Sequence, residues 1–127
     1  MGRVILDASV IIAFLDPRDP SHERAVKAIT AAGERRVPAS VLAEVLVHPN
    51  REGSAAVAHV ERTLAALASG VEPLTGEIAR TAASLRARHR KLRLGDALVI
   101  ATGDALGEDV LTADRGFAGV SPRVRVV

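Results

Sequence analysis

Four acidic residues in this 127-residue sequence lie beside or within apolar runs rather than in polar segments. Asp7 stands between two such runs, Glu44 lies inside one, Asp96 precedes one and Asp114 closes one. Burying an ionised carboxylate without a partner costs several kcal/mol. We therefore expect each apolar neighbourhood to draw its acid toward the core, where something must compensate the four charges.

Crowded carboxylates repel each other by about 4 kcal/mol per close pair at an effective dielectric of about 20. They can share protons, pair with arginine or bind a cation. An all-oxygen ligand set favours Mg²⁺, with Mn²⁺ as a substitute, over zinc. The histidines lack the close spacing of metal ligands; they are His22, His48, His59 and His89. Asp104 follows Asp96 by about 12 Å along a helix, too far to join the same centre.

Each acid also has a structural interpretation. Asp7 can end a strand or cap a helix, Asp96 can cap a helix, and Asp114 can form a turn beside Gly116. Glu44 has the weakest such alternative, because it lies four residues after Ser40 and a capping box needs three. The alternatives remain open for the three aspartates.

The periodicity predicts elements that would bring these acids together. Strands are predicted at residues 4–6, 36–38, 71–74, 109–112 and 123–127, and helices at 9–15, 20–32, 40–47, 53–69, 75–91 and 94–107. The same pattern predicts that Asp19 caps a helix, that His48-Pro49 stops a helix and that Gly70 ends another. Alternating strands and helices predict a mainly parallel sheet covered on both faces. Ligands of such sheets bind outside the carboxyl ends of the strands, where Asp7 and Asp114 fall.

Composition limits the alternatives. The length fits one domain, residues 1–127, and the 48% apolar fraction with a net charge of +2 argues against disorder. Without Cys there is no thiolate zinc site, and with two aromatic residues a stacking surface for nucleic acid is not expected. No apolar run has the length of a membrane span and no signal peptide is apparent, so a cytoplasmic protein is expected.

The ordered set Asp7, Glu44, Asp96 and Asp114 on a small α/β chain resembles the PIN-domain nucleases. The local motifs agree along essentially the whole chain. Residues 6–9 (LDAS) resemble the family's opening strand motif, 96–101 (DALVIA) its third-acid helix, and 111–117 (LTADRGF) its closing T-x-D-x-x-F segment. The compact size is similar to that of VapC-type toxins.

This resemblance implies a three-layer α/β/α fold with four or five short strands, and a metal-dependent endoribonuclease that cleaves RNA with a metal-activated water. Asp7, Asp96 and Asp114 would hold Mg²⁺, and Glu44 would be a ligand or orient water. Ser9 and Thr112 match positions of hydroxyls near the metal or phosphate, although a helix cap and a strand-end turn explain them as well. A homodimer and a cognate antitoxin that blocks the acidic pocket are also implied.

An acidic pocket repels RNA, so basic residues must attract the backbone. Arg86, Arg90 and Arg93 recur at the spacing of one helical face, if the helix extends that far. We expect this stretch to contact phosphates. The structural alternative is a solvated helix end whose cations favour the C-terminal dipole.

Three other functions compete with the nuclease. A phosphoacceptor receiver domain needs adjacent acids after its first strand, whereas Ala8 follows Asp7. A haloacid-dehalogenase-type phosphatase needs an acid at position 9, which is Ser. A non-catalytic RNA-binding or scaffolding PIN module is the strongest rival, and it predicts RNA binding that does not need the acids.

Overall fold

The computed structural model describes residues 2–127 as alternating strands and helices. In chain order they are β1 (Val4–Leu6), α1 (Ala8–Leu15), α2 (His22–Ala31), β2 (Arg35–Pro38), α3 (Ala39–Glu52), α4 (Ser54–Leu67), β3 (Gly70–Glu72), α5 (Gly76–Arg88), α6 (Leu94–Leu106), β4 (Asp109–Thr112) and β5 (Val124–Val126). A single 3-10 turn, Arg115–Phe117, follows β4. The predicted three-layer α/β/α architecture is confirmed.

The strands form one five-stranded sheet in the order β3-β2-β1-β4-β5, and all four pairings are parallel. The chain adds β2 and β3 on one side of β1, then returns to add β4 and β5 on the other side. The order therefore reverses between β1 and β4, and this switch point is where parallel α/β sheets bind ligands. The sheet positions whatever follows β1 and β4 at one edge.

The core lies around the two central strands. Every residue of β1 is buried, as are Val110 and Leu111 of β4. Strands covered on both faces are expected to be continuously apolar, which explains why these two have no alternating pattern. Phe117, in the turn after β4, is also buried and fixes that turn against the core.

Helix α6 packs closely on β4 because of Gly103. A Cβ there would lie 2.8 Å from the Glu108 carbonyl oxygen and would also clash with the Val110 side chain. Gly107 then ends the helix in the left-handed conformation, φ +67°. The close approach fixes α6, and with it Asp96, relative to the strand that precedes Asp114.

Two predicted helix boundaries were wrong, one because of tertiary packing and one because of a local hydrogen bond. Helix α3 continues through Pro49 to Glu52, because Pro49 faces the core and the Asn50 side chain donates to the Leu46 carbonyl at 2.8 Å. Helix α2 begins at His22 rather than at residue 20, since the Asp19 carboxylate accepts the Ser21 N–H in the preceding turn.

Two further boundaries also differ from the prediction. Gly70 belongs to β3 rather than ending α4, and α5 stops at Arg88, three residues before the predicted end. Among the helices of residues 2–127, none is both long and apolar enough to cross a membrane.

Candidate active site

The four singled-out acids line one cavity of about 350 Å³ at the carboxyl edge of the sheet. Asp7 follows β1 directly, Asp114 lies two residues beyond β4, Glu44 is in the second turn of α3, and Asp96 is in the first turn of α6. Ser9, Ile12, Arg93 and Gly95 also contribute to the wall. The sheet thus brings together residues separated by up to 107 positions in the sequence.

The acids differ in burial. Asp7 is buried, with 4% of its surface exposed, Asp96 and Asp114 are partly buried, and Glu44 is exposed. The expectation that Glu44 would be drawn inward was therefore wrong. The buried stripe of α3 is formed by Val41, Val45 and Pro49, and Glu44 lies on its flank, at the cavity mouth.

Two hydroxyl groups fix the Asp7 carboxylate. Ser9 Oγ donates to Asp7 Oδ2 at 2.6 Å, and Thr112 Oγ1 donates to the same oxygen at 2.8 Å. Each hydroxyl also accepts a backbone N–H from the segment after β4: Ala113 donates to Ser9 at 2.9 Å and Asp114 donates to Thr112 at 3.0 Å. A hydroxyl has one proton to donate, so the 3.0 Å Ser9–Thr112 separation is a packing contact when both donate to Asp7.

This network uses Oδ2 and leaves Oδ1 of Asp7 without a hydrogen bond from any residue in the range 2–127. Ser9 does not cap α1, contrary to the simpler interpretation, whereas Thr112 does form a strand-end turn. Asp114 also forms the turn expected beside Gly116, accepting its N–H at 2.8 Å through Oδ1. The turn and a role in the cavity are compatible, because a carboxylate has two oxygens.

The charges in the cavity oppose one another. Partial loss of hydration raises the pKa of Glu44 above its ordinary value, and the negative charges of Asp7 and Asp96 raise it further. Partial burial also raises the pKa of Asp96, with additional contributions from Asp7 and Asp114. Arg93 lowers both pKa values, but less than burial raises them.

Arg93 compensates the acids only weakly. Its Nε lies 3.8 Å from Asp96 Oδ2, and 86% of its side chain is exposed. An ion pair this long and solvated contributes little. Within residues 2–127, however, no three acidic or imidazole side chains are close enough together to hold one ion as they stand. The donor set is that of a hard divalent cation, but the side chains would have to converge on it.

A second cavity of about 520 Å³ adjoins the first and shares Arg93, Asp96 and Asp114 with it. Arg90 and Lys91 line it from the loop between α5 and α6. The predicted single helical face of Arg86, Arg90 and Arg93 does not exist, because α5 ends at Arg88. Arg86 instead donates to the Arg90 carbonyl at 3.3 Å, outside both cavities.

Sequence reasoning missed the other wall of this second cavity. It is formed by residues 116–118 and Val120, on the turn after β4. The signal in the sequence was Phe117 of the T-x-D-x-x-F segment. Its buried ring anchors the turn after β4 beside Asp114, and this turn lines the cavity. Asp104, excluded from the site, accepts a hydrogen bond from Ser121 at 2.6 Å and lies away from both cavities.

The family model of the PIN domain matches residues 4–121. The chain belongs to the PIN domain family. No curated protein matches it in sequence. The family assignment confirms the resemblance inferred from the ordered acids and their motifs.

Solved structures agree with this assignment. The fold is similar to a toxin–antitoxin complex from Klebsiella pneumoniae, with a TM-score of 0.77, 24% identity, and coverage of 97% of this chain and 96% of that one. VapC20 of Mycobacterium tuberculosis, a sarcin–ricin loop cleaving toxin, is similar with a TM-score of 0.75 and 21% identity. The match covers 93% of this chain and 95% of that one. FitAB bound to an IR36 DNA fragment is similar with a TM-score of 0.80 and 21% identity, and the match covers 97% of this chain and 94% of that one. This PIN domain therefore has the fold of VapC-type toxins.

The hydroxyl network predicts a stability effect. Replacing Thr112, which is fully buried, with Val would leave the Asp114 N–H without its partner and remove one donor from Asp7. We expect T112V to lower the free energy of unfolding by about 1–3 kcal/mol. Urea unfolding followed by circular dichroism measures it. T30V alters an exposed threonine of α2 that bonds only within its helix, and should change stability by less than about 0.5 kcal/mol. Equal effects of the two changes would contradict the network.

The raised pKa values of Glu44 and Asp96 predict the sign of a pH effect. Folding makes both carboxyl groups bind protons more tightly, so the native state holds more protons than the unfolded chain. Their contribution to stability therefore falls as pH rises from their ordinary pKa values, 4.5 and 3.8, through the raised ones.

The E44Q/D96N variant lacks both carboxyl groups and should not lose their contribution to folding stability as pH rises. Its stability relative to the unaltered protein should increase between pH 4 and pH 8, as measured by urea unfolding in the presence of a chelator. E61Q, an exposed change on α4, is the control and should leave the pH profile unaltered. A constant difference between E44Q/D96N and the unaltered protein would show that folding does not raise the pKa values of Glu44 and Asp96.

Proposed function

We propose that this PIN domain is a Mg²⁺-dependent endoribonuclease that acts as the toxin of a type II toxin–antitoxin pair, with Mn²⁺ as an alternative ion. The observation that carries the proposal is the single cavity lined by Asp7, Glu44, Asp96 and Asp114, where the exposed Arg93 is the only cation among residues 2–127 that pairs with any of these acids. Hydrogen bonds from Ser9, Thr112 and Gly116 orient Asp7 and Asp114, but they do not neutralise the charges. Acids that served the fold alone would also have close cationic partners.

The acids would have different roles. Asp7, Asp96 and Asp114 would hold the ion, with Asp7 offering the oxygen that Ser9 and Thr112 leave free. Glu44, exposed at the mouth, would complete the ligand set or orient the attacking water. A divalent cation supplies a lowered water pKa and charge shielding at the phosphoryl oxygens. Ser9 and Thr112 would act by keeping the Asp7 carboxylate in one orientation.

The basic loop would attract the substrate. Arg90 and Lys91 are exposed and make no ion pair with any residue from 2 to 127. Arg93 stands between this loop and the acids. Phosphates of RNA would meet these three cations before they reach the acidic cavity. Arg86 would contribute by holding the loop through the Arg90 carbonyl.

Two partners are part of this proposal. The similar structures include toxin–antitoxin complexes, which supports a cognate antitoxin for this chain. The acidic cavity would be complementary to a basic side chain of that antitoxin. We also propose a homodimer as the active form.

The proposal predicts that Asp7 is required for catalysis. D7N should decrease Mg²⁺-dependent cleavage of mixed RNA by about 10²-fold or more, the effect of removing one group that stabilises charge in a transition state. Gel electrophoresis of RNA with MgCl₂, MnCl₂ or chelator measures cleavage. D96N should behave in the same way. D104N changes an aspartate of α6 that bonds Ser121 outside the cavity, and should remain active. Full activity of D7N or D96N would remove the metal hypothesis.

The basic loop predicts a change in salt dependence. Each phosphate contact to a single strand contributes about −0.7 to the slope of log K against log salt. R90Q/K91Q should therefore make the slope for RNA binding less negative by about 1.4. Fluorescence polarisation with labelled RNA at several salt concentrations measures it. R51Q/R62Q removes the same charge from exposed positions of α3 and α4. Equal slopes in R90Q/K91Q and this control would favour a merely solvated loop.

A non-catalytic RNA-binding module is the second candidate. It is favoured by one observation: within residues 2–127 the acids do not already converge as three ligands. On that hypothesis RNA binds through the loop, D7N leaves binding unaltered, and no ion produces cleavage. The cleavage assay with D7N and D104N separates the two candidates.

A further inference from the structure

Strand β3 lies at one edge of the five-stranded sheet. Its central residue, Val71, has 44% of its surface exposed, and Leu74 just beyond the strand has 51%. An exposed strand edge with apolar side chains is a template for pairing with another chain, and soluble proteins generally carry a feature that prevents such pairing. The residues around β3 therefore need to be searched for that feature.

The backbone groups of Val71 point to the open side of the edge. The Val4 N–H donates to the Glu34 carbonyl at 2.8 Å, so Glu34 and Arg36, two residues on, direct their backbone groups toward β1. Val37 lies between β1-facing residues and directs its own groups toward β3, where they meet the residues on either side of its aligned partner, Val71. The N–H and carbonyl of Val71 itself are therefore directed away from β2.

The Arg36 side chain covers the carbonyl at this edge. It crosses the strand beside Gly70, and its Nη2 donates to the Val71 carbonyl at 3.0 Å. The same nitrogen lies 3.3 Å from Glu72 Oε2, in an ion pair that leaves only 21% and 14% of the two side chains exposed. A Cβ on Gly70 would lie 2.8 Å from Arg36 Nη1, so the missing side chain of this glycine makes room for the crossing.

Pro73 limits the same edge at the next position. Residues alternate in the direction of their backbone groups along a strand, so Pro73 is the next one after Val71 that would face outward. Proline has no N–H and is found on edge strands for that reason. Of the residues in β3, Val71 alone offers an outward N–H, and it lies next to a carbonyl that already accepts a hydrogen bond from Arg36.

We propose that Arg36 prevents the β3 edge from pairing with a second copy of this chain. Two copies related by a twofold axis at Val71 would each offer one N–H and one carbonyl, and an antiparallel pair exchanges both bonds. The guanidinium occupies that carbonyl in each copy and places a charge in the path of the incoming strand. The inference does not depend on the proposed function, and it excludes this edge from the interface of the proposed homodimer.

Self-association tests the role of Arg36. R36M removes the donor and keeps an apolar side chain, whereas G70A displaces the guanidinium and keeps every charge. We expect each change to lower the dissociation constant for association beyond the state of the unaltered protein by about tenfold, the effect of about one hydrogen bond. Sedimentation velocity over a concentration series measures it.

Helix α5 supplies two matched controls. Gly76 lies beside a guanidinium in a similar way, since a Cβ there would lie 3.3 Å from Arg80 Nη1. Both residues are exposed on a helix and not at a strand edge, so R80M and G76A should associate like the unaltered protein. Urea unfolding checks that every variant is folded. If R36M does not fold, G70A decides.

V71P locates the contact. It removes the outward N–H and breaks no bond to β2, so its addition to R36M or G70A should restore the association of the unaltered protein. Stronger association that V71P reverses supports the proposal. Unaltered association of folded R36M or folded G70A overturns it, and so does stronger association that persists when V71P is added.

Discussion

The parallel pairing of β1 with β4 is the contact on which the candidate site depends. It aligns Leu6 with Leu111, so the next residues of both strands emerge at the same edge. The Asp7 N–H donates to the Leu111 carbonyl at 3.0 Å, and the Asp7 carboxylate then accepts the Thr112 hydroxyl. Backbone pairing and side-chain hydrogen bonding therefore reinforce one register. A shift by one residue would reverse the direction of every side chain and separate these partners.

Acidic residues at the two edges of the sheet differ in their ion pairing. Near the amino ends of the strands, Arg3 Nε pairs with Glu108 at 2.8 Å and with Glu34 at 3.4 Å. At the carboxyl edge, four acids face one exposed arginine whose nearest carboxylate oxygen is 3.8 Å away. Glu34 and Glu108, which support the fold, therefore have a close cationic partner. The poorly compensated cavity lies at the edge where parallel α/β sheets generally bind ligands, which distinguishes it from an ordinary charged surface.

The sequence predicted the sheet, its parallel character and the placement of four acids at its carboxyl edge, where they line one cavity, because strand ends and apolar runs are local signals. It predicted burial of Glu44 incorrectly, since an apolar neighbourhood does not say which flank of a helix a residue occupies. The hydrogen bonds of Asp7 with Thr112 join residues 105 positions apart, and no local pattern reveals that the two hydroxyls share one oxygen. Pro49 likewise remained inside α3 because tertiary packing of its buried face outweighs its local preference.

In the proposed nuclease, the division of the site into two cavities would resolve an electrostatic conflict. A cavity that holds four acids would repel the phosphates of RNA unless cations lay close enough to attract them, yet cations inside it would pair with the acids. Because α5 ends at Arg88, Arg90 and Lys91 lie in a loop. This loop lines the second cavity, so the two cations lie beside the acids and not among them. Gly116 supports the opposite wall: its N–H holds Asp114, and a Cβ there would lie 3.0 Å from the Asp114 carboxylate. The boundary between the cavities is therefore set by where one helix ends and one turn closes.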